Sequence, residues 1–189
     1  MKNRQVYVTA FCGVAVAMNI VLGIITSALG IPLYLDTLGT VLAAAIIGPV
    51  PGVIVGALSN IITGLIYSVT DIPFCLVNMA AGLIVGLVAK KFNWTFASAL
   101  ITGLVLSFVC PAIGTPIGIF VYGGLNGSFS DVLVMSLVQG GQTIFQASFL
   151  RNVASNLVDK IGTCIIAWAL IRMIPMRFLA NFKKDAQSV

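Results

Sequence analysis

The chain has 189 residues, 59% of them hydrophobic and 8% charged, with ten Lys and Arg against five acids, all Asp. A soluble domain carries roughly 25% charged residues, and a mean hydropathy of +1.11 excludes that class. Residues 37–70 and 92–130 hold no charge, each stretch longer than the ~20 apolar residues that span a bilayer, so 1–189 reads as one integral membrane domain.

Taken in order, Val6–Leu29 predicts helix 1, too long for the apolar region of a cleaved signal peptide. It carries small residues at Ala10, Gly13, Ala15 and Ala17. The Gly13–Ala17 step suits close helix approach, either within the chain or by a partner. Helix 2 is predicted over 35–48. The run Gly48-Pro49-Val50-Pro51-Gly52 then breaks helical hydrogen bonding, and helix 3 follows over 51–67. Its Ser59, Asn60 and Thr63 suit either solute contact or bonds to neighbouring helices. Helix 4 is expected over 73–90, helix 5 from near 95 and the last helix over about 152–175. Between the last two lies 111–150, with Pro111, Pro116, Gly114, Gly118, Gly123, Gly124 and Gly127, then Gln139, Gln142 and Gln146. It is expected to cap or re-enter one side, which irregular backbone does only against protein or water.

Charge sets the orientation. Lys2, Arg4, Lys90, Lys91, Arg172, Arg177, Lys183 and Lys184 all fall on one side if the chain crosses six times, and the positive-inside rule makes that side cytoplasmic. Reading 37–67 as a single kinked span would put Lys90 and Lys91 outside. The expectation is an all-α polytopic protein of the cell membrane, with about six transmembrane helices, an additional helical or re-entrant segment before the last helix, and both termini cytoplasmic.

The residue inventory narrows the chemistry. The chain has no His and no Glu, which removes metal hydrolysis, Ser-His-Asp catalysis and paired-carboxylate chemistry. An enzyme is not expected, nor a cofactor. No phosphate-binding Gly-rich Lys motif occurs. Cys12, Cys75, Cys110 and Cys164 lack metal-ligand spacing and read as small buried apolar residues. The basic residues sit at segment ends rather than in one patch, so no nucleic-acid partner is expected.

One polar stripe stands out. Asn152, Ser155, Asn156, Asp159, Lys160 and Thr163 recur at steps of three and four and so share one helix face. Ionisable residues at membrane depth mark functional sites by default. Lys160 suits solute binding, or pairing with an aspartate; Asp159, adjacent in sequence, is expected to point elsewhere on the helix. In the outer loops, Asp36 and Asp71 suit either helix N-caps or, with Tyr34, the mouth of a pocket. Phe74 offers a stacking surface. The shortage of acids disfavours a strongly cationic solute, and Lys160 favours a neutral or anionic one.

The chain as a whole resembles the substrate-binding S components of energy-coupling factor (ECF) vitamin transporters. The residues that carry the resemblance are Ile31-Pro32-Leu33-Tyr34-Leu35-Asp36-Thr37-Leu38-Gly39-Thr40, Ile47–Gly56 with its Gly-Pro turn, Gly114-Thr115-Pro116-Ile117 and Asp159-Lys160-Ile161. The last two are similar to a riboflavin-transporter-like branch. Gly13 and Ala17 match the family's small-residue site on helix 1, with Gly in the first position. The resemblance implies a six-helix protein that binds a small water-soluble vitamin at its outer face. It also implies a membrane coupling subunit docked at Gly13 and Ala17, and two ATPase subunits as the energy source. The expected solute contacts are Tyr34, Asp36, Asp71, Phe74, Gln142, Asn152, Asn156 and Lys160. The other reading is a self-contained small transporter or channel, which calls for an internal repeat that the sequence does not display.

Overall fold

The computed structural model describes residues 2–29, 34–125 and 131–183; residues 30–33, Gly127 and Lys184, used above, lie outside them. The described helices are α1 (Lys2–Ala28), α2 (Leu38–Ile46), α3 (Pro49–Ile66), α4 (Cys75–Phe92), α5 (Phe96–Tyr122), α6 (Asp131–Gln139), α7 (Ile144–Met173) and α8 (Met176–Lys183), with a 3-10 segment, Val69–Phe74, before α4. No strand occurs among the described residues. Among the described residues, five stretches are long and apolar enough to cross a membrane: Arg4–Ala28, Pro49–Ile66, Val69–Phe92, Phe96–Tyr122 and Ile144–Met173. The protein is an all-α polytopic membrane protein.

Helix direction gathers the basic residues. α1 begins at one end with Arg4, whose Nη2 donates to the Phe182 carbonyl at 3.3 Å. There α8 folds back, burying Leu179 and Phe182 against Val8, Phe11 and Ile46. α4 ends at the same level with Lys90 and Lys91, and the start of α5 meets the end of α7 through an edge-on Phe96–Trp168 pair, centroids 5.2 Å apart. Arg4, Lys90, Lys91, Arg172 and Arg177 therefore share one end, the basic end. Arg151 and Lys160 lie farther along α7. α8 lies beyond the last predicted helix, which ends at Pro175.

Pro49 starts α3 at its first turn, with Gly48 before it at φ 135°, so the Gly-Pro break separates two helices as expected. α2 differs from expectation. Its nine residues reach only about 13 Å at 1.5 Å per residue, half a bilayer, and eight of them are buried. It starts at mid-height against α1, where a Cβ on Gly39 would stand 2.0 Å from the Ala15 carbonyl oxygen, and it ends at the basic end with Ile46. Ala15 thus packs inward rather than sharing a surface with Gly13 and Ala17. Asn19 seals this crossing. Its Oδ1 accepts from the Gly39 N–H at 2.6 Å, and its Nδ2 donates to Thr40 and Ser59 Oγ, each at 2.9 Å.

The 111–150 segment also differs. Pro111 and Pro116 lie inside α5, which runs on to Tyr122 and closes on Gly123 at φ 68°; packed neighbours and local adjustment tolerate proline in membrane helices. α7 begins at Ile144 rather than near 152, capped by a reciprocal Thr143–Gln146 box. α5 and α7 are joined through 123–143, whose described part includes the short α6.

Candidate functional site

Because α2 fills only half its column, the other half is open. A cavity of about 150 Å³ occupies it, lined by Tyr34, Asp36, Asn60, Phe74, Val77, Asn78, Cys110, Gly114, Asn152, Asn156 and Lys160. A larger concavity of about 410 Å³ lies along α1, walled among the described residues by Gln5, Val6, Thr9 and Ala10. One helix cannot surround a solute, so the smaller, polar cavity is the candidate site.

Its floor is an ion-pair network. Lys160 Nζ donates to Asp159 Oδ2 at 2.7 Å and to Thr37 Oγ1 at 2.8 Å, and stands 3.8 Å from Asp36 Oδ1. Asp159 is fully buried, and its Oδ1 accepts the backbone N–H groups of Tyr34 and Leu35, both at 2.9 Å. Leu35 sits at φ 45°, a left-handed conformation costly for a residue with a side chain. The two bonds to Asp159 hold that turn in place. Asp159 and Lys160 therefore pair with each other, contrary to the expectation that Asp159 points away. Adjacent Cβ atoms diverge on a helix, but the lysine's four-carbon arm swings back across the gap.

The walls carry amides. Asn78 Nδ2 donates to Asn60 Oδ1, while its Oδ1 lies 3.0 Å from Thr37 Oγ1. Asn152 Nδ2 donates to Thr115 Oγ1 at 2.9 Å, and its Oδ1 accepts from Arg151 Nε and Nη2. Asn156 Nδ2 donates to the Asn152 carbonyl at 2.9 Å. A carbonyl only accepts, which fixes this amide's orientation and turns its Oδ1 to the cavity. At the mouth, Phe74 stacks on Tyr122, centroids 6.2 Å apart, and the Tyr122 hydroxyl donates to Asp71. Tyr34 is half-exposed, yet the surrounding protein raises its phenol above 10.0, loss of water outweighing the opposing pull of Arg151. It stays a neutral donor.

With this geometry in hand, the chain matches a family over residues 3–174: the ECF-type riboflavin transporter, S component. The chain belongs to that family. A UPF0397 protein of Streptococcus thermophilus is 22% identical over 173 residues, 88% of this chain and 91% of that one. No solved structure matches the chain. As a member of the S component family, the protein is a substrate-binding subunit of a membrane transporter.

In this S component the expected contact residues divide. Tyr34, Asp36, Phe74, Asn152, Asn156 and Lys160 line the cavity. Asp71 does not; it braces Tyr122 behind Phe74. Gln142 does not either; it is exposed in the turn before α7. Neither Asp36 nor Asp71 is a helix N-cap, because Thr37 precedes α2 and Phe74 precedes α4. Gly13 and Ala17 are exposed on α1, and a Cβ on Gly13 would meet nothing within 4 Å, so their step is not used inside the chain.

Several residues in or beside the lining do not stand out in the sequence as solute contacts. Asn78 was visible as a lone amide in the apolar run of α4, and Cys110 was read only as packing. Arg151 is 4% exposed and pairs with Asp131 at 2.5 Å, tying α6 to α7; its position just ahead of the polar stripe was the available signal. Of the α3 trio, Ser59 bonds to α1, whereas Asn60 reaches the cavity.

Proposed function

We propose that this S component captures a small water-soluble vitamin or its precursor in the cavity above α2, with riboflavin the first candidate on the family's description. The observation that carries the reading is the cavity itself: aromatic surfaces at the mouth, amides on the walls and a lysine at the floor. Flat heterocycles need such an apolar slot with a few placed donors and acceptors. The positive-inside rule assigns the basic end to the cytoplasm, which puts the mouth outside. At about 150 Å³ the cavity is smaller than the ~300 Å³ at which sites for drug-sized ligands begin. Entry of a tricyclic vitamin therefore needs movement at the mouth, where Tyr34 and Phe74 stand. The chain has no nucleotide-binding motif, so ATP hydrolysis comes from two partner subunits through a membrane coupling subunit, for which exposed Gly13 and Ala17 offer close approach.

Titration of the purified chain with riboflavin, followed by quenching of flavin fluorescence, tests the reading. Saturable one-to-one binding is expected. A folded chain that binds no riboflavin and carries no small molecule through purification would overturn it.

A further inference from the structure

We propose that Asp36 makes the cavity a filter against anionic solutes, so that the captured vitamin is uncharged and its phosphate ester is rejected. This rests on the vitamin-binding reading above and names the substrate class of that same site.

The charge balance carries the inference. Two cations stand at or beside the cavity, and both are engaged. Lys160 lies 2.7 Å from Asp159 Oδ2 and 2.8 Å from Thr37 Oγ1. Arg151 donates to Asp131 at 2.5 Å and to the side-chain Oδ1 of Asn152. Each cation has its own carboxylate, so the two pairs cancel. Asp36 is left over. Its carboxylate is 38% exposed, against 5% for the Lys160 side chain and none for Asp159. It reaches Lys160 only at 3.8 Å. Being the more exposed group, this carboxylate faces an incoming solute ahead of either cation, each 5% exposed. Lys160, Arg151, Asp159, Asp131 and Asp36 together carry one net negative charge, and the rest of the cavity's polar lining is neutral amide, phenol and thiol. Neutral groups bond the edges and hydroxyls of an uncharged ring system, but they do not balance a phosphate. By sequence Lys160 favours a neutral or anionic solute; its pairing with Asp159 removes the anionic half of that expectation.

Riboflavin and riboflavin 5′-phosphate share one ring and differ by the phosphate, so they isolate the charge. With the full-length purified chain, riboflavin should bind at least tenfold more tightly. A unit charge about 10 Å from another at an effective dielectric near 20 changes affinity by roughly tenfold. Asp36→Asn should therefore shrink the ratio of the two affinities by about that factor, and Asp36→Glu should preserve it. Should Asp36→Asn fail to fold, the unsubstituted protein still gives the answer: raising salt from ~0.1 to ~1 M cuts the screening length from ~10 to ~3 Å and should narrow the ratio. Equal affinities for the two flavins, or a ratio that neither Asp36→Asn nor salt alters, would overturn the filter. A folded chain that binds neither flavin overturns the proposed function, and the filter falls with it.

Discussion

Replacing Lys160 by Met tests whether the buried ion pair holds the Tyr34–Leu35 turn to α7. Methionine keeps most of the side-chain length and removes the ammonium group. Asp159 has no solvent exposure and spends one oxygen on the N–H groups of Tyr34 and Leu35 and the other on Lys160. Without the lysine, a buried carboxylate keeps two dipolar donors but loses its counter-charge. Breaking a buried pair from one side costs about 3–5 kcal/mol, and a chain of this length loses ~2–4 °C of melting temperature per kcal/mol. Lys160→Met should therefore melt roughly 10 °C below the unsubstituted protein. The double variant Lys160→Met with Asp159→Asn should recover most of that loss, because the asparagine oxygen still accepts from both N–H groups and no charge is stranded. Thermal unfolding of the single and double variants in one detergent supplies the comparison. A double variant no more stable than Lys160→Met would refute the reasoning, since the loss would then come from packing rather than from an unpaired charge.

Gly39→Ala should destabilise by about 1–3 kcal/mol through overpacking, because the new methyl would stand 2.0 Å from the Ala15 carbonyl oxygen. Gly13→Ala, with nothing within 4 Å, should leave the melting temperature nearly unchanged, and equal effects would contradict the α1–α2 packing. Cys110 lines the cavity and is 2% exposed. With Cys12, Cys75 and Cys164 replaced, it should react slowly with a thiol reagent and more slowly still with riboflavin bound. A rate indifferent to a bound flavin would separate the binding site from the cavity. Ala17→Trp should abolish ATP-driven uptake in the presence of the partner subunits while the isolated chain still binds its solute, and normal uptake would remove α1 as the docking surface.

What could be read from the sequence follows from the strength of the local signals. The Gly48-Pro49 break was legible because proline at a helix start fits and in its interior does not. The α7 stripe was legible because polar residues at a helical period stand out in an apolar chain. The start of α7 was equally available, since Thr143-x-x-Gln146 is a capping-box pattern, but the glycines and glutamines around it suggested loop. Pro111 and Pro116 misled for the opposite reason: both are strong breakers in water and weak ones inside a packed membrane helix. The shortness of α2 could not be read at all. Residues 35–48 are almost uniformly apolar, and composition does not reveal that Leu35 turns left-handed to meet a carboxylate more than 120 residues away in sequence.

That long-range contact links the fold to the site. Backbone groups removed from water must find partners within the protein, and Tyr34 and Leu35 are not helical. Their N–H groups are satisfied by Asp159, a buried carboxylate, which needs a cation, and Lys160 supplies it. The stripe on α7 is therefore polar first for a structural reason: it allows a helix to stop halfway and a non-helical strap at Tyr34 and Leu35 to take its place. The space beside that strap is the cavity, and Lys160, already required to neutralise Asp159, forms its floor. Loop and floor are one hydrogen-bonded unit. Withdrawing Tyr34 and Leu35 to admit a solute would strip Asp159 of two donors at once. Moving only the mouth side chains, Tyr34 and Phe74, leaves those bonds intact, and the lower-cost route for a solute is past them.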